Sequence, residues 1–218
     1  MSATLRAAVI GVGSMGRNHA RVYANLDGVE LAAVCDADAD TAARVGRMYR
    51  CNAYSSVSEL LAREPLDLVS VVVPTRHHFA VASEVIDRGV SVLVEKPIAA
   101  TPEQGWALVE AARRNGVVLT VGHVERFNPA IIALKQQIDD HELGHVFHVA
   151  ARRVGPFPAR IMDVGVVIDL ATHDLDILNY LIGSPVTRLH VEMHRHLHES
   201  HEDMLTAMLR FQSGVIGT

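Results

Sequence analysis

Cysteine is scarce in this chain of 218 residues, occurring at Cys35 and Cys51 alone. Two thiols cannot make the disulfide framework of a small secreted domain. Reduced cysteines in a cytoplasm are therefore expected, Cys35 as a strand-end core residue and Cys51 in a loop. No apolar run approaches the length of a membrane-spanning helix, and the N-terminus lacks the charged-then-apolar layout of a signal peptide. Positive charge is not in excess either. With 20 Lys and Arg against 25 Asp and Glu, the formal net charge is −5, which gives no reason to expect nucleic acid or an anionic membrane surface as a partner. Internal repeats and low-complexity stretches are absent. Apolar residues are plentiful at 49%, enough for the core of one large domain or of a domain and a half.

The most informative segment is Gly11-Val12-Gly13-Ser14-Met15-Gly16, where a buried strand (Arg6 to Ile10) should hand over to a helix beginning near Met15. Gly11 suits the tight turn, Gly13 admits a pyrophosphate close to the backbone, and Gly16 allows close helix–strand packing. The first helical turn, with Ser14 and Met15, aims free N–H groups and the positive dipole end at phosphates. About twenty residues further on, a second apolar run (Glu30 to Cys35) ends at Asp36. That carboxylate would accept hydrogen bonds from an adenosine ribose and repel a 2′-phosphate, favouring NAD over NADP. A neighbouring Arg such as Arg44 leaves NADP open. The competing interpretation is a plain glycine turn in another α/β domain.

Apolar runs alternate with helical patterns through the first half. Helices are expected at Asp38 to Tyr49, Val57 to Arg63 and His78 to Arg88, with strands at Leu66 to Val73, Ser91 to Val94 and Val117 to Val121. Thr101 reads as an N-cap with Pro102 at the first helical position, the helix running to Asn115-Gly116. This alternation predicts an α/β fold of Rossmann type, a doubly wound parallel sheet over residues 1–122. Residues 123–218 read as an α+β domain with a mainly antiparallel sheet. Its expected elements are a helix (Pro129 to Asp140), a strand (Val146 to Arg153), a loop at Gly155-Pro156-Phe157-Pro158, a helix around Ile168 to Leu181, and strands at Val186 to Arg195 and Met204 to Phe211. A further strand starts after Gly214, so a sheet stopping at Thr218 would be C-terminally incomplete.

Strand ends of an open parallel sheet deliver residues to one crevice. Asp36, Pro74-Thr75 and Glu95-Lys96-Pro97 should arrive there, which sets Lys96 beside a redox centre unless it is a surface lysine before a structural proline. Asp169 and His173 are four apart and share one helix face, a spacing equally met in an ordinary surface pair. His123, Arg126, Asn128 and Arg153 are candidate substrate contacts, against the alternative of a linker held by polar contacts. His194, His196 and His198 would share a strand face, but a ladder spreads ligands too far apart to converge on a metal, so a polar sheet face or subunit contact is expected and no metal.

The opening glycine turn, Val73-Pro74-Thr75-Arg76-His77-His78, Glu95-Lys96-Pro97, Gly122 to Pro129, and Gly165 to His173 together resemble the Gfo/Idh/MocA family of nicotinamide-dependent oxidoreductases over essentially the whole chain. Members continue well past position 218. The resemblance implies Lys96, Asp169 and His173 as a catalytic set. Lys96 would stabilise the alkoxide-like oxygen, His173 would be the general base, and Asp169 would orient the substrate or the imidazole. It also implies that Glu95 and His78 lie near the cofactor. The string Gly122 to Pro129 is similar to that of nucleotide-sugar members, and others act on inositols. The implied activity is NAD(P)-dependent dehydrogenation of a secondary hydroxyl of a sugar, nucleotide sugar or cyclic polyol, in a homo-oligomer assembled through the second-domain sheet. Two rivals stand beside it: NAD-dependent glycoside hydrolysis, and a dinucleotide-binding sensor or assembly subunit without turnover.

Overall fold

The apolar runs of the first half become six short strands that pair side by side without a single hairpin. They are β1 (Leu5–Ile10), β2 (Val29–Cys35), β3 (Asn52–Tyr54), β4 (Leu68–Val71), β5 (Ser91–Val94) and β6 (Leu119–Val121). The computed structural model describes residues 4–155 and 165–218, so Pro156, Phe157 and Pro158 of the expected loop lie outside the described residues. The chain divides into two compact units, Met1–Gly122 and His123–Thr218.

In the first unit every strand pair is parallel, in the order β3-β2-β1-β4-β5-β6. Parallel neighbours need crossovers, supplied by α1 (Ser14–Asn25), α2 (Ala39–Tyr49), α3 (Val57–Arg63), α4 (His78–Asp87) and α5 (Pro102–Asn115). The helices cover both faces. Ala20 of α1 and Val45 of α2 pack with Val9 and Val34 on one side; Leu60, Val85, Ile86 and Leu108 of α3, α4 and α5 pack with Ala8, Val69 and Val92 on the other. The strand order reverses between β1 and β4, and at such a switch point the loops leaving the strands diverge and open a crevice.

Local signals set the helix ends. The Thr101 side chain accepts from Gln104 N–H, Pro102 starts α5, and Gly116 closes it in the left-handed conformation. Asp38 precedes α2 as its N-cap, accepting from Asp40 N–H. Strand β3 is an addition to the expected elements; three residues are too few to show a period.

The second unit contains α6 (Pro129–Asp139), β7 (His148–Val149), α7 (Thr172–Ile182), β8 (Val186–His194), β9 (Met204–Phe211) and β10 (Ile216–Gly217). Its sheet runs β7-β10-β9-β8, antiparallel except for the parallel β7–β10 pair. Leu178, Leu209, Phe211 and Val215 form its core. Two expected elements are corrected. The strand over Val146 to Arg153 shrinks to His148–Val149, because its partner β10 spans only Ile216–Gly217. The helix over Ile168 to Leu181 opens with a π-helical segment, Val167–Ala171, before α7 begins. Among the described residues no helix is long and apolar enough to cross a membrane.

Candidate functional site

The glycine turn divides its three glycines by what surrounds them. A Cβ on Gly11 would stand 2.5 Å from the Val72 carbonyl oxygen, and one on Gly16 would stand 1.8 Å from the Gly11 carbonyl oxygen. Gly11 also has φ +88°, a left-handed backbone. Gly13 is different: nothing lies within 4 Å of its notional Cβ, and it is exposed. Two glycines are thus required by packing, and the third leaves open space at the start of α1. Gly13 is the N-cap residue of that helix and offers no side-chain oxygen to the first-turn amides of Ser14, Met15 and Gly16. Those amides are the groups a phosphate would take.

Asp36 follows β2 and turns back onto this loop. Its Oδ2 accepts from Val12 N–H at 2.9 Å and its Oδ1 from Asp38 N–H at 3.0 Å. The backbone holds the carboxylate in place while each oxygen keeps a further lone pair for a ribose hydroxyl.

Past β4, Pro74 leads a 3-10 turn, Thr75–His77, and α4 starts at His78. His78 is buried, with one ring nitrogen 2.8 Å from the Val73 carbonyl and the other 2.8 Å from the Pro97 carbonyl. It therefore ties the loop after β4 to the turn after β5. That turn carries Glu95, Lys96 and a cis Lys96–Pro97 peptide. Glu95 Oε2 accepts from the Lys96 N–H at 3.1 Å, and Oε1 lies 3.0 Å from His19 Nε2. His19 Nδ1 lies 3.1 Å from Ser70 Oγ, and Ser70 Oγ 2.7 Å from the Tyr23 hydroxyl. Burial pushes the Glu95 carboxyl up, but hydrogen bonds from His19 and the Lys96 N–H, with the Lys96 charge, carry it below the usual range. His19, Tyr23 and Ser70 were not among the sequence candidates. Only Ser70 left a trace, as a polar residue inside an apolar run.

In the second unit Asp169 sits in the π segment and His173 in the first turn of α7, both half-buried. The ordinary α-helical geometry behind their four-residue spacing is therefore replaced at Asp169 by the wider turn of a π-helix. Glu202 fixes where the segment starts, its Oε1 accepting from Val167 N–H at 3.2 Å and its backbone carbonyl from Val166 N–H at 2.9 Å. A Cβ on Gly165 would overlap that carboxylate at 2.0 Å.

The four substrate-contact candidates each have a partner inside this unit. Arg126 holds Asp176 with Nε and Nη2 at 2.8 and 2.5 Å, and His123 Nδ1 lies 3.5 Å from the same carboxylate. Arg153 forks onto Asp174, with Nε–Oδ2 and Nη2–Oδ1 both 3.0 Å. Bonding to these carboxylates raises the pKa of both guanidinium groups. Asn128 is the N-cap of α6, accepting from Ala130 N–H at 3.0 Å, with Pro129 at the first helical position.

The histidine-rich stretch is also corrected. β8 ends at His194, so His196 and His198 are off the strand, in a loop that closes on Asp203. Its carboxylate accepts from the backbone N–H groups of His196, Leu197 and His198, which brings it down to about 2. Among the described residues no three His, Cys, Asp or Glu side chains are grouped to hold a metal ion. A depression of about 380 Å³ lined by Arg6, Glu30, Tyr49 and Asn52 lies at the opposite, N-terminal ends of β1 and β2, away from the glycine turn.

A parallel sheet in this order, with a glycine turn, an unblocked helix start and an acidic residue after β2, defines a dinucleotide-binding α/β protein carrying a second α+β unit. Residues 5–123 match the profile of the oxidoreductase family with an NAD-binding Rossmann fold, and residues 131–218 that of the GFO/IDH/MocA C-terminal domain. The chain belongs to the Gfo/Idh/MocA family of oxidoreductases. It is 42% identical over 180 residues to a UDP-N-acetylglucosamine 3-dehydrogenase of Acidithiobacillus ferrooxidans, covering 83% of this chain and 55% of that one. With an NAD-dependent scyllo-inositol 2-dehydrogenase of Bacillus subtilis it shares 31% over 193 residues, covering 86% and 56%. The crystal structure of the WlbA dehydrogenase from Bordetella pertussis, in complex with NADH and UDP-GlcNAcA, superposes with a TM-score of 0.92 at 26% identity, covering 98% of this chain and 69% of that one. The chain thus spans about half the length of the curated relatives it matches.

NAD fits the residues present: Gly13 leaves room, the first turn of α1 offers amides, and Asp36 faces the loop. Asp36→Ala would remove the carboxylate expected to take the ribose and would loosen Val12 at once. NAD affinity is expected to fall about 10- to 100-fold, with a smaller loss for NADP. Parallel fluorescence titrations with NADH and NADPH check it; an equal loss for both would take Asp36 out of cofactor selection.

Proposed function

We propose that the chain binds NAD and handles substrate in a dehydrogenase acting on a secondary hydroxyl of a sugar, nucleotide sugar or cyclic polyol. One observation carries the reading: Lys96 stands on the turn leaving β5, next to the β1/β4 switch point of an NAD-binding sheet. NAD, when bound, takes up or returns the hydride. The remaining work falls to side chains. Gly13 and the first turn of α1 hold the pyrophosphate, and Asp36 the ribose. Pro74, Thr75, Glu95 and His78 shape the wall on which Lys96 is mounted. The Lys96 ammonium stabilises the negative charge that grows on the substrate oxygen as the C–H bond breaks. His173 takes the hydroxyl proton, and Asp169 orients substrate or imidazole. Copies assembled through the β7–β10 sheet belong to the same reading, supported by the exposed Leu189, Met193, Met204 and Met208. So does a cytoplasmic setting, supported by the unpaired Cys35 and Cys51.

The test is NADH formation from NAD over a panel of inositols, sugars and UDP-sugars. At least one is expected to reduce NAD, and His173→Ala to flatten the pH-dependent limb of that rate. NAD binding with no turnover across the panel would reduce the protein to a dinucleotide binder. Cleavage of a glycoside without net NADH would turn the assignment to hydrolysis.

A further inference from the structure

The turn that carries Lys96 is held from behind by a chain of side chains of which only Glu95 enters the reaction outlined above. α1 supplies His19 and Tyr23, four residues apart and so on one helix face. β4 supplies Ser70, fully buried in the middle of the sheet, where a hydroxyl persists only if it is bonded. The end of β5 supplies Glu95, whose side chain is 16% exposed, and His19 is 17% exposed. The links run Tyr23 hydroxyl to Ser70 Oγ at 2.7 Å, Ser70 Oγ to His19 Nδ1 at 3.1 Å, His19 Nε2 to Glu95 Oε1 at 3.0 Å, and Glu95 Oε2 to Lys96 N–H at 3.1 Å.

Donor and acceptor rules give this chain a direction. An ionised carboxylate only accepts, so His19 must present its proton at Nε2. In a neutral His19 that leaves Nδ1 as an acceptor, and the Ser70 hydroxyl must donate to it. Ser70 Oγ then has only lone pairs to offer Tyr23, which donates in turn. All the donors thus point one way, from the tyrosine toward Glu95, whose second oxygen closes on the Lys96 backbone.

We propose that Tyr23, Ser70, His19 and Glu95 form a one-directional hydrogen-bond relay whose role is to position the Lys96 turn. The lowered pKa of Glu95 agrees with the ionised end of such a chain. Gly122 completes the seat, since a Cβ there would fall 2.9 Å from Glu95 Oε1. Links of this kind reinforce one another, so breaking the far end is felt at the near end. Tyr23 and Ser70 are positioning residues; they act on the reaction through His19 and Glu95. This deepens the dehydrogenase reading and rests on it for turnover, but the imidazole tautomer does not.

The experiment has two arms on this chain. Nitrogen-15 NMR, with the His19 ring assigned through His19→Gln, reads the tautomer at neutral pH. Protonation at Nε2 alone is expected in the wild type, with Nδ1–H gaining population in Ser70→Ala. Protonation at Nδ1, or at both nitrogens, overturns the direction of the relay. The second arm measures Tyr23→Phe, which loses one hydroxyl and keeps its ring. A fall in kcat of about tenfold is expected, with substrate KM, NADH affinity and melting temperature nearly unchanged. An unchanged kcat in both Tyr23→Phe and Ser70→Ala overturns the positioning role. Were nothing in the substrate panel turned over, the dehydrogenase reading would fall, and the relay would stand or fall on the tautomer alone.

Discussion

Lys96→Ala is expected to lower kcat by about two to three orders of magnitude while NADH affinity stays within about twofold. Removing a preorganised donor aimed at a developing oxyanion costs about this much in enzymes that depend on one. NADH affinity should survive because alanine keeps what the turn is built from. The Lys96 N–H still donates to Glu95 Oε2, and the Pro97 carbonyl still meets His78. The glycine turn and Asp36 lie on other strands and are untouched. Lys96→Arg retains the charge on a bulkier, planar head and should fall between the two. Steady-state turnover with the best substrate of the panel, set beside a fluorescence titration of NADH, checks the prediction. A kcat within threefold of wild type would remove Lys96 from the chemistry and leave the Glu95–Lys96 turn as cofactor wall only.

The parts of the fold visible in the sequence are those set by neighbours along the chain. Thr101-Pro102 and Gly116 bound α5 because cap geometry depends on a few consecutive residues. The glycine turn and Asp36 were visible because strand, turn and helix onset follow one another directly. The same local logic applies at Asn128-Pro129, where Asn128, a candidate substrate contact, is also the N-cap of α6 and Pro129 its first helical residue. What could not be seen depends on partners far apart in sequence. Asp176 is matched to Arg126 across 50 residues and Asp174 to Arg153 across 21. Taken singly, an arginine in a loop suits an anionic ligand, and its carboxylate emerges only when the second unit folds. His19 and Glu95 are likewise 76 residues apart. The π segment is hidden for another reason. Asp169 and His173 keep the same spacing whichever way the backbone hydrogen bonds run, and Glu202, brought in from the loop before β9, bonds the segment's first amides.

The glycines offer a sharper contrast. Gly16→Ala is expected to destabilise the first unit by more than about 3 kcal/mol, and with it to abolish NAD binding. Its Cβ would sit 1.8 Å from the Gly11 carbonyl oxygen, and that residue cannot easily yield. Gly11 N–H is tied to the Cys35 carbonyl at 2.7 Å, and its own Cα faces the Val72 carbonyl. Relief requires α1 to lift away from β1, which opens the core where Ala20 packs against Val9 and Val34. Gly13→Ala should behave in the opposite way. Its φ of −66° is negative, its backbone is extended, and its Cβ would meet nothing within 4 Å. Stability should change by less than about 1 kcal/mol, since only an exposed loop position is altered. NAD affinity should nevertheless fall by tenfold or more, because on the proposed reading the added methyl would stand where the pyrophosphate approaches the first turn of α1. Thermal melts and NADH titrations on the two variants separate packing from binding. If Gly13→Ala binds NADH normally, the open space beside it is not where the cofactor phosphates sit, and the glycine turn is a packing device alone.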